Sequence, residues 1–371
     1  MLSLELALLR GGGTPAAEAA ASLRNALRTD PKAWQEARAA LLDPSTPTGV
    51  RQALALIFGT FDGAANDTAL LEALHRFPED TEFVRCALLG LGGAREPEDD
   101  DEVFGLGDRP WGAKGPGGLG ITVRREIADA GTRAALGEFL ARPEPALRAA
   151  AAQALRHSTA SDDVRDSFLL ALGTERFDDV AWVLGESLAV RAGSTADAAD
   201  RARIVNTLLG RAGDEALDAY RFRMEDDFER VSLDPAARSS LRTLAEPSHP
   251  FAVRSFALSA AARSAAASGA EAVAEARALL LSLLRADRDA AVRDLAARLL
   301  ARLTWDAPTG EGLAAAAKSD AAWNVRFTAL EALASFGKRT GVAEALEAAR
   351  KDSDERVAAR AAELLRTLEG K

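Results

Sequence analysis

The chain is poor in the residues on which most chemistry depends. It has a single cysteine, Cys86, so it can form no internal disulfide and no thiolate metal cluster. Its three histidines, His75, His157 and His249, are far apart in sequence, and no His-Glu dipeptide occurs. It has one tyrosine and no β-branched runs, which argues against a sheet-built domain. No run of about 20 apolar residues occurs, so no segment has the length of a membrane span. The opening MLSLELALLRGGG is short, contains Glu5 and lacks a basic start, which makes a poor signal peptide. The expected compartment is the cytoplasm, or the periplasm if Met1 replaces a removed leader.

Positive charge is also scarce. The net charge is −10 and the pI about 5.1, which argues against general nucleic-acid binding, since that needs a basic face to displace counterions. The imbalance is uneven: residues 1–247 carry −12 and residues 248–371 carry +2. The acidic part suits a basic partner, and it also serves solubility.

What the chain has in abundance is repetition. A phrase close to Asp-x-x-Val-Arg-x-x-Ala-x-x-x-Leu reads DAAVRDLAARLL at Asp289–Leu300 and AAWNVRFTALEAL at Ala321–Leu333. Its anchor falls at Val50, Val84, Leu147, Val180, Val253, Val292, Val325 and Val357, at spacings of 34, 63, 33, 73, 39, 33 and 32. Most spacings fit one helix pair. The 63-residue gap fits one pair plus about 30 extra residues, and the 73-residue gap fits two pairs with a degenerate copy near 195–230. Apolar residues follow four and eight places after each anchor, as in Val292, Ala296 and Leu300, and so share one helical stripe. One pair cannot bury such a stripe alone, so the pairs must stack. Thr14-Pro15, Asp30-Pro31 and Asp234-Pro235 each place a capping side chain before Pro at a helix start. About 19 helices are expected.

This pattern resembles the HEAT-repeat family, especially the short bacterial type also seen in phycobilisome-lyase-like proteins. The resemblance implies an all-α, right-handed α-solenoid of about nine stacked helix pairs, a HEAT-like or armadillo-like superhelix. It also implies that the phrase opens the second helix of each pair, and that its Arg ladders with the preceding turn's Asp. By resemblance, Asp289 pairs with Arg293 and Asp320 with Arg326, as staples between repeats. The expected organisation is repeats over 1–91, an inserted loop over 92–122, and repeats over 123–371, within one continuous solenoid.

The insertion holds nine glycines and three prolines, which cannot continue a helix, and has a net charge of −4. Long irregular loops are usually functional or disordered. In one reading Phe104 and Trp111 anchor a partner while Asp99, Asp100 and Asp101 steer a basic ligand. In the other the aromatics pin the loop to the solenoid and the acids are solvated. The consecutive acids lack the spacing of a calcium loop. Gly115, Gly117 and Gly120 match G-x-G-x-x-G, but no strand precedes them, so no dinucleotide site is expected.

No catalytic set emerges. Ser187, in Gly185-Glu-Ser-Leu-Ala189, lies mid-helix and not on a nucleophile elbow. Trp182 and Trp323 sit in or beside the phrase and are expected in the core, and Trp305 over a helix end. In the charged patch Phe222–Arg230, Asp226 and Arg230 stand four apart and are expected to pair on the surface. The functional expectation is a non-enzymatic, monomeric protein-binding scaffold without cofactor or metal. It would hold a protein partner, with a basic one suited to its acidic part, on its concave face or at the 92–122 loop, and would bind no nucleic acid. The alternatives are a lyase-like or enzyme-assisting HEAT protein and, behind it, a DNA-binding HEAT-like glycosylase.

Overall fold

The computed structural model describes residues 22–61, 63–95, 122–123 and 125–370. Among these residues there are 19 α-helices, three single-turn 3-10 segments and one two-residue strand pair. Helix α1 (22–29) precedes nine consecutive A/B hairpins. These pair α2 (Pro31–Leu42) with α3 (Thr48–Gly59), α4 (Ala64–Arg76) with α5 (Thr81–Leu91), and α6 (Ala130–Glu138) with α7 (Pro145–Leu155). Next come α8 (Asp162–Thr174) with α9 (Asp178–Ser194), α10 (Ala198–Ala212) with α11 (Asp218–Asp227), and α12 (Pro235–Leu244) with α13 (Phe251–Ser268). The last three are α14 (Ala270–Ala286) with α15 (Ala290–Leu300), α16 (Ala307–Ser319) with α17 (Trp323–Ser335), and α18 (Val342–Ala349) with α19 (Glu355–Glu369). The fold is an all-α solenoid of helix pairs, and the phrase falls on the B helices.

The chain divides into two compact units, Met1–Leu188 and Ala189–Lys371, with the division inside α9. In the first unit the anchors Val50, Val84, Leu147 and Val180 are buried; in the second, Val253, Val292, Val325 and Val357 are. The degenerate copy expected near 195–230 is the α10/α11 hairpin. There Tyr220-Arg221 stands where other hairpins carry Val-Arg. Tyr220 is fully buried and donates its hydroxyl to the Leu208 carbonyl at 3.1 Å.

Local chemistry sets the helix starts. Asp30, Asp80, Asp129, Asp197, Asp234, Asp289, Asp306 and Asp354 each accept a backbone N–H in the first turn that follows. Packing then depends on small residues. A Cβ on Gly59 would lie 2.3 Å from the Gly90 carbonyl oxygen, and one on Gly90 would lie 2.4 Å from that of Ala55. The B helices α3 and α5 therefore meet backbone to backbone.

The ends of the expected loop carry a regularity that the sequence did not announce. Ala94–Arg95 pairs antiparallel with Thr122–Val123, in the register Ala94↔Val123 and Arg95↔Thr122. Gly93 turns into this pair at φ +77°, a left-handed conformation open to glycine, and Arg125 N–H donates to the Gly92 carbonyl at 3.1 Å. Arg95 and Thr122 thus lie side by side.

Candidate functional site

The repeated arginine builds a ladder between successive hairpins. Arg293 donates Nε–H and Nη2–H to Asp320 at 2.7 and 2.8 Å, and Nη1–H to the carbonyls of Asp287 and Arg288. Arg326 repeats this on Asp352 at 2.7 and 2.7 Å, and on the carbonyls of Asp320 and Ala321. Arg148 does the same with Glu175 at 2.7 and 2.8 Å, and with the carbonyls of Arg142 and Pro143. Arg51 reaches Asp80 through Nη2 alone, and the deeply buried Arg254 reaches Asp287 through Nη1 and Nη2. The rung carboxylate also holds its own turn: Asp320 accepts the Ala322 N–H and Asp352 the Asp354 N–H. Burial would raise the Asp320 carboxyl, but Arg293 and the Ala322 N–H outweigh it and hold it below its ordinary value. The same balance lowers Glu175 and Asp287. In Asp352 the bond from Arg326 is the largest cause and lowers it likewise.

This corrects the expected pairing. Arg293 reaches forward to Asp320 and not back to Asp289, and Arg326 reaches forward to Asp352 and not to the side chain of Asp320. Asp289 instead caps α15 through the Ala291 N–H at 2.9 Å. The reason is geometric: the Arg leaves the first turn of its B helix pointing toward the next hairpin, where the six-before position supplies a carboxylate. Not every junction carries a rung: α9 has Ala181 in place of the Arg, and Arg221 of α11 stays on Asp218 of its own helix. In the turn before α7 the six-before position is Arg142, and Arg85, which would face it, keeps only Glu82 of its own helix, while its buried Nη1 has no hydrogen-bond partner.

The ladder is structural; the surface that can receive a molecule lies beside it. Residues two before, two after and six after the anchor turn away from the core, since each residue advances about 100° around the helix. On α15 and α17 such positions line an open groove of about 630 Å³, to which α19 adds Arg356. Its lining includes Asp294, Arg298, Trp323, Phe327, Glu331 and Arg356. Trp323, expected in the core, is 38% exposed because it stands two residues before Val325, on the opposite side of α17. Its ring meets Phe327 edge-on at 6.3 Å, and the Arg356 guanidinium covers it at 3.4 Å from the centroid. Arg356 is held in turn by Asp354 at 3.0 and 2.8 Å, which pulls the Asp354 carboxyl down to about 2. Asp294 accepts from the Thr328 hydroxyl at 2.6 Å and from Arg298 at 2.8 Å, and Glu331 accepts from Arg360.

The other residues singled out by sequence are scattered. Phe104, Trp111, Asp99, Asp100 and Asp101 lie outside the described residues, as does Thr14-Pro15. Cys86 is buried in α5, and burial pushes its thiol up to about 11. Ser187 is buried mid-helix and donates to the Val183 carbonyl at 2.7 Å. His75 ends α4 with Nδ1 2.7 Å from the Leu71 carbonyl. Trp305 lies against Gly310 at the start of α16 and meets Phe336 at 5.1 Å. Asp226 does not pair with Arg230 as expected; it pairs with Arg263 at 2.6 Å, because α11 ends at Asp227 and a 3-10 turn breaks the four-residue spacing. Among the described residues no three His, Cys, Asp or Glu side chains gather as a metal site, and no helix is long and apolar enough to cross a membrane.

Comparison with known proteins agrees with this architecture. Residues 277–366, which contain the groove, match the family model described as HEAT repeats. No curated protein matches the sequence. Among solved structures, the karyopherin Kap121p bound to the extreme C-terminus of the protein phosphatase Cdc14p aligns over 98% of this chain at 14% identity, with a TM-score of 0.57. Importin beta aligns over 97% at 14% identity, with a TM-score of 0.50. The chain spans 40% of the length of that Kap121p and 50% of that importin beta. Human deoxyhypusine hydroxylase aligns over 91% of this chain and 96% of its own at 19% identity, with a TM-score of only 0.32. The likeness to the first two is one of fold: a helical solenoid of HEAT-type repeats.

Proposed function

We propose that this chain is a non-enzymatic scaffold that docks a partner protein on the B-helix face of its C-terminal repeats. The observation that carries the reading is the Trp323–Phe327 pair, set open on that face between Arg298 and Arg356. Aromatic and arginine side chains are the ones that dominate binding energy at protein interfaces. A similar fold, in Kap121p, holds the terminal segment of another protein.

The same face argues against the alternatives. Its arginines are interleaved with acids: Arg263 with Asp226, Arg298 with Asp294, Arg356 with Asp354, Arg360 with Glu331. A phosphate backbone needs cations that are free to replace its counterions. No nucleophile and base meet in the groove, which leaves the enzyme-assisting reading without residues to act through. A charge of −12 over residues 1–247 suits a basic surface elsewhere on the partner, and the chain is taken to work as a monomer.

The test is a photo-crosslinking residue placed at Asn324, in the groove, or at Ala343, exposed on the A helix α18. Captured partner should crosslink from position 324 and not from 343. Crosslinks from 343 alone, or capture unchanged by Trp323→Ala, would refute the docking face.

A further inference from the structure

We infer that the groove takes an acidic segment of the partner bearing an aromatic side chain; this rests on the docking reading above. Both groove carboxylates hold arginines, and Asp294 is the more shielded. Asp294 is 15% exposed and holds both the Thr328 hydroxyl and Arg298. Glu331, 40% exposed, takes Arg360 Nε–H at 3.0 Å and Nη2–H at 2.8 Å on one oxygen. Arg298, in contrast, faces outward with its side chain 67% exposed, while Arg356, 58% exposed, already spends Nε and Nη2 on Asp354. Arg298 spends Nη2 on Asp294, which leaves most of its donor fork toward the groove. An incoming carboxylate can therefore take the free donors of Arg298 while Asp294 stays in place.

The aromatic requirement comes from the floor. Ala301 and Ala332 are small and leave space beside Phe327, whose ring stands edge-on to Trp323. A ring inserted there gains both apolar burial and edge-to-face contact. A volume of about 630 Å³ is in the range of a small-ligand pocket, so it takes a few side chains of an extended segment and not a folded surface. The charge preference is opposite to that expected from the acidic residues 1–247, so the groove and that region would engage different parts of a partner.

The experiment uses the full chain and three fluorescein-labelled hexapeptides, read by anisotropy: an acidic peptide with one central Phe, the same peptide with Phe replaced by Ala, and its counterpart with every acid replaced by Lys. The acidic Phe peptide should bind at least about tenfold tighter than either other. Arg298→Glu should cost it about tenfold or more and improve the Lys peptide, and Arg298→Gln, which adds no repulsion toward Asp294, should give the same loss without the gain. Circular dichroism checks that both variants keep their helices. Equal or tighter binding of the Lys peptide, or acidic binding untouched by both Arg298 variants, overturns the inference. Absence of all three bindings also overturns it; crosslinking from position 324 then tells whether the docking reading stands without it.

Discussion

Replacing Asp320 by Ala tests the ladder most directly. The substitution removes a carboxylate that accepts two N–H bonds from Arg293 at 2.7 and 2.8 Å and a third from Ala322 at 2.9 Å. The pair is well shielded, with side-chain exposures of 14% for Arg293 and 7% for Asp320. Taking away one member of a buried pair leaves the other charge uncompensated, at a cost of about 3–5 kcal/mol. For a cooperative unit of this size each kcal/mol lowers Tm by about 2–4 °C, so a loss of roughly 6–20 °C is expected. Asp289→Ala is the control. It removes only a helix cap, worth about 1 kcal/mol, and should lower Tm by about 2–4 °C. The double variant Arg293→Met with Asp320→Leu should recover most of the loss, since a buried pair exchanged for apolar side chains is often nearly neutral. The assay is thermal and urea unfolding followed by far-UV circular dichroism. If Asp320→Ala costs no more than Asp289→Ala, the rung is an ordinary surface pair and the forward-ladder reasoning is wrong.

Three further outcomes are expected. Gly90→Ala should destabilise the first unit by about 1–3 kcal/mol or more in urea unfolding, because its methyl would sit 2.4 Å from the Ala55 carbonyl and force α3 and α5 apart. Deleting residues 98–120 behind a short linker should leave helix content and Tm nearly unchanged, because the Ala94↔Val123 register already brings the two chain ends to neighbouring-strand distance, about 5 Å; a large loss of helix would contradict this. Because the fold lowers the carboxyls of Glu175, Asp287, Asp320 and Asp352, their stabilisation should be fully present above the ordinary carboxylate range and be lost as pH falls through their depressed values. Tm measured against pH should therefore fall more steeply on acidification in the wild type than in the double variant Arg326→Met with Asp352→Leu.

The hairpins were legible because they write themselves in short-range spacing. Val292, Ala296 and Leu300 declare a buried stripe, and Asp-Pro at 30–31 and 234–235 declares a helix start. Tyr220-Arg221 was harder to see because a large aromatic fills the place of a valine, with its hydroxyl paid for by the Leu208 carbonyl. The rungs were misread because partners 26 or 27 residues apart follow from how hairpins stack, while Asp289 and Arg293 look plausible on one helix. The groove could have been found. Trp323 and Phe327 lie two before and two after Val325, about 200° away from it in either direction, so a helical wheel puts both opposite the core. Their nearness to the phrase hid them. The charge preference of the groove was not legible, since it depends on which of Asp294, Arg298, Glu331 and Arg356 are already engaged.

The absent rung between Arg85 and Arg142 has a consequence for how this protein came to carry its insertion. Where a bidentate rung is present, as at Arg148–Glu175 or Arg293–Asp320, extra residues threaded between a B helix and the following turn would strain it. Between α5 and α7 no Arg85 rung exists to strain; Arg125, beyond the insertion, pairs instead with Asp67 of α4, and the Ala94↔Val123 pair holds the two ends together, so the chain can lengthen there. The same seam should be where amide exchange first breaches the N-terminal unit. Any future graft or tag within the repeats is best placed at this seam.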